Sequence, residues 1–188
     1  MFRNSVAMTA ILGTIAGSIM VLRVEAGADK VVFPENYAQG VMYMTINRPV
    51  RPNASVAGGE NSAQFREHYV TLPAIEALRS GQPFPSGTVV TMIQYRAQLD
   101  AQGNPLTDAN GRFMKADLIG FGVMEKRTGW GAEYAPDIRN GEWEYQHFGP
   151  DRKPNPNMKL TACFQCHRSQ AAKDFLHSFD QLSAFANK

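Results

Sequence analysis

Cys163-Phe164-Gln165-Cys166-His167 constrains this chain more than any other stretch. On a helix the cysteines fall at i and i+3 and the histidine at i+4, so all three side chains share one face. Such a face can grip the edge of a flat group through two thioether bonds while the imidazole reaches a metal at its centre. Cys-x-x-Cys-His is the spacing that attaches a c-type haem, with the histidine as proximal iron ligand. The chain has two cysteines, and both lie in the motif. A redox dithiol would use Cys-x-x-Cys at the start of a helix in a strand-helix-strand setting and would not need the histidine. A structural zinc would need a further ligand, and no second Cys/His cluster stands at zinc spacing.

Residues 1–26 read as an export signal. Arg3 supplies the positive start, Val6 to Leu22 is a nearly unbroken apolar or small run, and Val24-Glu25-Ala26 precedes Gly27. That run of about 17 residues is slightly short of the roughly 20 that span a bilayer comfortably. Arg23 and Glu25 make an imperfect cleavage region, so a retained leader acting as a membrane tether is the alternative. Either way the haem domain, residues 27–188, is expected in the periplasm, since bacteria attach c-type haem outside the cytoplasm. A net charge of +2 argues against a nucleic-acid partner, which calls for a basic stripe. Small molecules and a periplasmic redox protein are the expected partners.

Strands come first and helix last. Val41 to Ile46 reads as a short strand or helix edge, residues 48–60 as a loop rich in Pro, Asn, Gly and Ser, and Gln64 to Val70 as extended. Leu72 to Ser80 reads as a short helix, with Pro73 in its first turn and Gly81 at its end. Thr88 to Ala97, rich in Val, Thr, Ile and Tyr, reads as a strand. Asp100 to Arg112 is a polar loop whose Gly103-Asn104-Pro105 and Asn110-Gly111 predict a hairpin. Its Asp and Asn residues do not make a calcium loop, because the closing Glu is missing. Phe113 to Lys126 and Glu142 to Phe148 are the next strands, and residues 150–156 a connector. The motif helix follows, and Ala171 to Phe185 is expected to continue as helix. Asn53-Ala54-Ser55 matches a glycosylation sequon of little weight in a bacterial-looking chain. The fold class is α+β, predominantly antiparallel sheet with a few helices.

That layout separates the chain from two familiar cytochromes. Small electron-transfer cytochromes c carry the motif early, with an axial methionine downstream. Here 21 residues follow His167 and none is methionine. Four-helix cytochromes c′ do carry the motif at the C-terminus, but the strands, prolines and glycines are wrong for a helix bundle.

Taken together, the chain resembles the cytochrome P460 family, which includes the β-type cytochromes c′. The resemblance runs through Pro34-Glu35-Asn36-Tyr37, His68-Tyr69-Val70, Phe84-Pro85-Ser86-Gly87-Thr88-Val89 and Lys115-Ala116-Asp117-Leu118-Ile119-Gly120 to Trp143 and the terminal motif. It implies an antiparallel sheet with a few helices, a homodimer, and one covalent haem c per chain with five-coordinate iron. Cys163, Cys166 and His167 then hold the cofactor, with His167 on the iron. The family's P460 members oxidise hydroxylamine or nitric oxide and cross-link a lysine to the porphyrin. Its β-type cytochromes c′ lack the link, cap the distal face with phenylalanines and bind nitric oxide without obvious turnover. A plain electron carrier remains a third reading.

The lysine position of the family falls here on Met92, and a thioether cannot make the carbon–nitrogen link. Met92 is most simply a core residue near the haem edge, with an axial ligand as the less ordinary role. Lys115 or Lys126 on the neighbouring strand could substitute, although a surface lysine is the simpler account of each. The resemblance also suggests a carboxylate base near the iron, and Glu144 is the candidate, against the plainer reading of a solvated strand-face glutamate. Strand alternation sends Trp143, Tyr145 and His147 to one face and Glu144, Gln146 and Phe148 to the other. Phe148 or Phe121 could cap the site, though with eleven phenylalanines a core role is the default. His68, His147 or His177 could supply a sixth ligand and close the iron, and His147 could line the pocket, although His68 and His147 read more simply as structural or surface histidines. His177 lies too far along a straight helix to reach the same iron as His167. Arg168 and Lys173 are candidates for pairing with propionates, or are simply exposed.

Overall fold

A computed structural model describes residues 30–51 and 61–188. The leader over residues 1–26, the sequon at Asn53 and most of the loop expected over 48–60 lie outside the described residues. Strands β1 (Val41–Arg48), β2 (Gln64–Val70), β3 (Thr88–Ala97), β4 (Lys115–Lys126) and β5 (Trp143–Phe148) form one antiparallel sheet in chain order. With helices α1 (Leu72–Arg79), α2 (Leu160–Arg168) and α3 (Phe179–Ala186), this is the expected α+β fold dominated by sheet. Helix α1 begins with a proline in its first turn, where a missing N–H costs nothing, and Gly81 follows it at φ +65°.

Between β3 and β4 the hairpin is drawn out into an arm of two similar tight turns. Asp100 Oδ1 accepts from the backbone N–H groups of Gln102 and Asn104, and Asp108 Oδ1 from those of Asn110 and Arg112. Gly103 and Gly111 take the left-handed conformation that each turn requires. Isolated bridges Leu99–Pro105 and Thr107–Phe113 close the two turns, and β4 therefore begins at Lys115, two residues after the expected Phe113.

The two sheet faces bury different cores. On one, Val70, Val90, Met124, Trp143 and Tyr145 pack against Ala74 and Ile75 of α1, Phe164 of α2 and Leu182 of α3. On the other, Ile93, Phe121, Val123 and Phe148 pack with Val31, Phe33 and Tyr37 from the segment before β1. Each such side chain removed from water contributes about 1.5–3 kcal/mol.

One sequence expectation is corrected. The helix read over 171–185 is broken: α2 ends at Arg168, a 3-10 turn spans Ala171–Lys173, and α3 starts only at Phe179. Asp174 and Phe175 lie between them, at φ +47° and +59°. Two left-handed residues reverse a chain, and for phenylalanine that conformation is costly. Tertiary bonds hold it. Asp174 Oδ1 accepts from Trp143 Nε1 at 3.1 Å, and Oδ2 pairs with Lys126 Nζ at 2.7 Å. The apolar spacing on both sides of the break is helical, so periodicity could not reveal it.

Candidate haem site

Phe164, inside the motif, anchors α2. It is 1% exposed, with its ring 4.8 Å from that of Tyr145 and 5.2 Å from that of Tyr134. Asn140 Nδ2 donates both to the Phe164 carbonyl (2.9 Å) and to the Tyr145 hydroxyl (3.0 Å), tying the helix to β5. Cys163 is half-buried and Cys166 exposed. Burial pushes the Cys163 thiol up to about 11. A redox dithiol needs a lowered thiol, so this environment disfavours that chemistry.

The surroundings of His167 suit a metal ligand. Its Nδ1 donates to the carbonyl oxygen of Phe175 at 2.7 Å, and its ring lies 4.7 Å from that of Tyr145. With Nδ1 occupied, Nε2 is the nitrogen available to iron, and the ring orientation is set by backbone. Burial, the main cause, lowers the imidazole to about 4, so it is neutral and able to coordinate at pH 7. The chain reversal at Asp174-Phe175 is what delivers that carbonyl. It also corrects the placement of His177, whose ring lies 5.0 Å from that of His167 and whose Nε2 is 3.4 Å from Cys166 Sγ.

Strand register shows what lies beside the motif. The row Val41, Val70, Val90, Met124, Tyr145 crosses the sheet beneath the helices. The next row on the same face reads Met44, His68, Met92, Gly122, His147, and the one after it Ile46, Arg66, Gln94, Gly120. Gly120 and Gly122 leave the backbone of β4 bare. A Cβ on Gly122 would lie 3.0 Å from Met92 Cε, and one on Gly120 would lie 2.3 Å from the Phe148 carbonyl oxygen and 3.2 Å from His147 Cε1. Met92 thus packs directly over Gly122, one row from the tyrosine that His167 touches. In the same row the Nδ1 atoms of His68 and His147 are buried without a partner. Neutral imidazole, two cysteines on one helix face and unpaired buried nitrogens in the neighbouring row suit a large apolar group with polar ligand chemistry. The residues fit haem.

The other candidates fall elsewhere. Glu144 is 0% exposed, not solvated, and lies on the sheet face opposite Tyr145. Tyr134 reaches round the edge of β5 to donate to Glu144 Oε2 at 2.9 Å, and Lys30 Nζ stands 3.4 Å from Oε1. The fold therefore does not bring Glu144 to the motif. Phe121 and Phe148 also belong to that opposite core. Lys115 pairs with Glu67 and lies over Tyr95, while Lys126 is held by Asp174. Arg168 Nη1 donates to the carbonyl oxygens of Pro136 and Arg139, and Lys173 pairs with Asp180.

Gly120, Gly122, Gln94 and Arg66 were missed in the sequence. A signal existed for the first two: glycines at alternate positions of a strand, Gly120-Phe121-Gly122, mark close approach by a ligand or another backbone. Among known proteins, the family model described as Cytochrome P460 matches residues 34–178, which takes in all five strands and the motif. No curated protein matches the chain.

Proposed function

The chain belongs to the cytochrome P460 family, and from that premise we propose that it is an exported c-type cytochrome with one covalent haem that binds small nitrogen species at an open iron. The observation that carries this reading is the hydrogen bond from His167 Nδ1 to Phe175 O, which leaves Nε2 for the metal. Cys163 and Cys166 would hold the group by thioether bonds, and Tyr145 packs against the ring of His167. Gly120 and Gly122 add no side chains to the neighbouring rows of the sheet. When bound, haem supplies a redox-active iron with one exchangeable position.

Capture of nitric oxide without turnover is the leading form of this function. Met92 offers no amine for a cross-link, and both oxygens of Glu144 are engaged on the far face of the sheet. Oxidation of hydroxylamine is the second form, favoured by the unpaired Nδ1 of His147. A periplasmic location, a redox partner protein and a homodimer complete the proposal. An electron carrier would require Met92, His68 or another upstream group on the iron.

The full chain, matured with haem, decides among these. Denatured protein should retain the haem mass, and Cys163→Ala with Cys166→Ala should lose it. An ordinary high-spin ferrous spectrum that responds to nitric oxide, with no hydroxylamine turnover on an artificial acceptor, is the expected result. A low-spin spectrum would sink the open-iron reading, and haem retained by the denatured double variant would sink the covalent one.

A further inference from the structure

We propose that Tyr134 and Glu144 form a redox-active pair that drains oxidising equivalents from the haem when hydrogen peroxide reacts at the open iron. The inference rests on the reading that His167 holds haem.

A row of touching rings leads from the proximal histidine to this pair. The ring of His167 lies 4.7 Å from that of Tyr145, Tyr145 lies 4.8 Å from Phe164, and Phe164 lies 5.2 Å from Tyr134. All three separations are those of rings in contact. Tyr145, Phe164 and Tyr134 are buried, so the row runs through protein from the iron ligand to Tyr134.

What marks Tyr134 is the partner of its hydroxyl. A tyrosine that loses an electron becomes a strong acid, so it is readily oxidised only where a base takes the proton. Tyr134 Oη donates to Glu144 Oε2 at 2.9 Å, and Glu144 is fully buried. That distance is within reach of direct proton transfer. Tyr145 stands nearer the iron ligand, but its hydroxyl accepts from the amide of Asn140, which is no base. Tyr43 bonds to Ser178 Oγ, likewise no base. Trp143 donates to Asp174, but its ring meets Phe84 and not the row from His167.

Charge does not oppose the transfer. Lys30 lies over the Tyr134 ring, yet it is matched by Glu133 and Glu144 together. Arg127 pairs with Glu125, which stands opposite Glu144 in the strand register. Three carboxylates thus face two cations, and a proton arriving on Glu144 brings these five groups to neutrality.

The chemistry balances in atoms and electrons. At the iron, hydrogen peroxide gains two electrons and, from solvent, two protons, and leaves as two waters. One electron comes from the iron and one from Tyr134 through the rings. The Tyr134 O–H bond breaks, its proton moves to Glu144 Oε2, and a neutral phenoxyl radical remains. A one-electron donor, with the proton returned by Glu144, restores the tyrosine. An iron open to nitric oxide is also open to peroxide, so the pair protects the haem that the proposed function needs.

The test mixes the ferric full chain, haem attached, with hydrogen peroxide and freezes samples for electron paramagnetic resonance. The unsubstituted protein should give a tyrosyl signal. Tyr134→Phe keeps the ring but should lose the signal, and its haem should bleach faster at equal peroxide. Tyr145→Phe keeps the row of rings and should retain the signal. Glu144→Gln keeps an acceptor oxygen but not the base, and should form the radical about a hundredfold more slowly. That variant decides the matter should Tyr134→Phe fail to mature. The proposal is overturned by a tryptophanyl signal or none, by a tyrosyl signal that survives Tyr134→Phe or vanishes in Tyr145→Phe, by bleaching unchanged in Tyr134→Phe, or by an unslowed radical in Glu144→Gln. Absence of covalent haem from the unsubstituted protein would overturn the underlying reading instead.

Discussion

His68 shows how a single residue ties the site to stability. It is 8% exposed, lies in the row of Met92 and Gly122, and is pushed down to about 4, first by burial and then by the charge of Arg66. The folded value lies below the ordinary 6.5, so protons bind the unfolded chain more readily. Stability is therefore full above pH 6.5 and declines as pH falls toward 4, by up to about 3 kcal/mol. Denaturant unfolding across that window should show the decline, and His68→Phe should make it shallower without abolishing it, since His167 is lowered to about 4 as well. A slope unchanged in the variant would remove His68 as the cause. Gly120 makes a second prediction at this scale. At φ +154°, with the Phe148 carbonyl oxygen 2.3 Å from any added Cβ, it has no room for a side chain. Gly120→Ala should cost about 2 kcal/mol or more, read from thermal unfolding. Gly122→Ala meets only the flexible end of Met92, and should cost less.

Among the elements, the segment from α2 to α3 matters most. A continuous helix would carry His177 nearly three turns away and give His167 Nδ1 no backbone carbonyl from Phe175. Asp174 prevents this by bonding Trp143 Nε1 and Lys126 Nζ while itself left-handed. Asp174→Ala would leave the indole N–H and a largely buried ammonium without these partners, at a cost of about 2–3 kcal/mol. The same change should loosen the proximal histidine, visible as a broadened iron–histidine stretch in the ferrous haem protein. Normal stability and an unaltered stretch would show that the reversal holds without the clamp. Asp174→Asn keeps an acceptor for Trp143 and should recover part of the loss.

At the scale of the molecule, β1 is an outer strand of the sheet and pairs only with β2 among the described residues. Met42 and Ile46 on β1 are 44% and 38% exposed, and the arm beyond β3 exposes Leu99, Leu106 and Met114. Unpaired edges beside apolar side chains favour association. Sedimentation equilibrium of the haem-loaded protein is expected to give twice the chain mass, with Ile46→Lys and Leu106→Lys moving it toward the monomer. A wild-type monomer at micromolar concentration would overturn the expected homodimer.

Much of the architecture was legible in the chain itself. β2 and β3 begin and end where alternation and turn residues place them, and the motif helix follows from its covalent spacing. Those are properties of a few neighbouring residues, set by local backbone geometry. Alternation even separated Glu144 from Tyr145 and His147 correctly. It could not say against which face α2 would pack, and that packing puts Phe164 against Tyr145 and leaves Glu144 on the opposite face. The row that gathers His68, Met92, Gly122 and His147 depends on register among four strands. The contact between His167 and Phe175 depends on two left-handed residues held by Trp143 and Lys126. Both are long-range packing outcomes, decided by which surfaces bury one another, and only the tertiary structure reveals them.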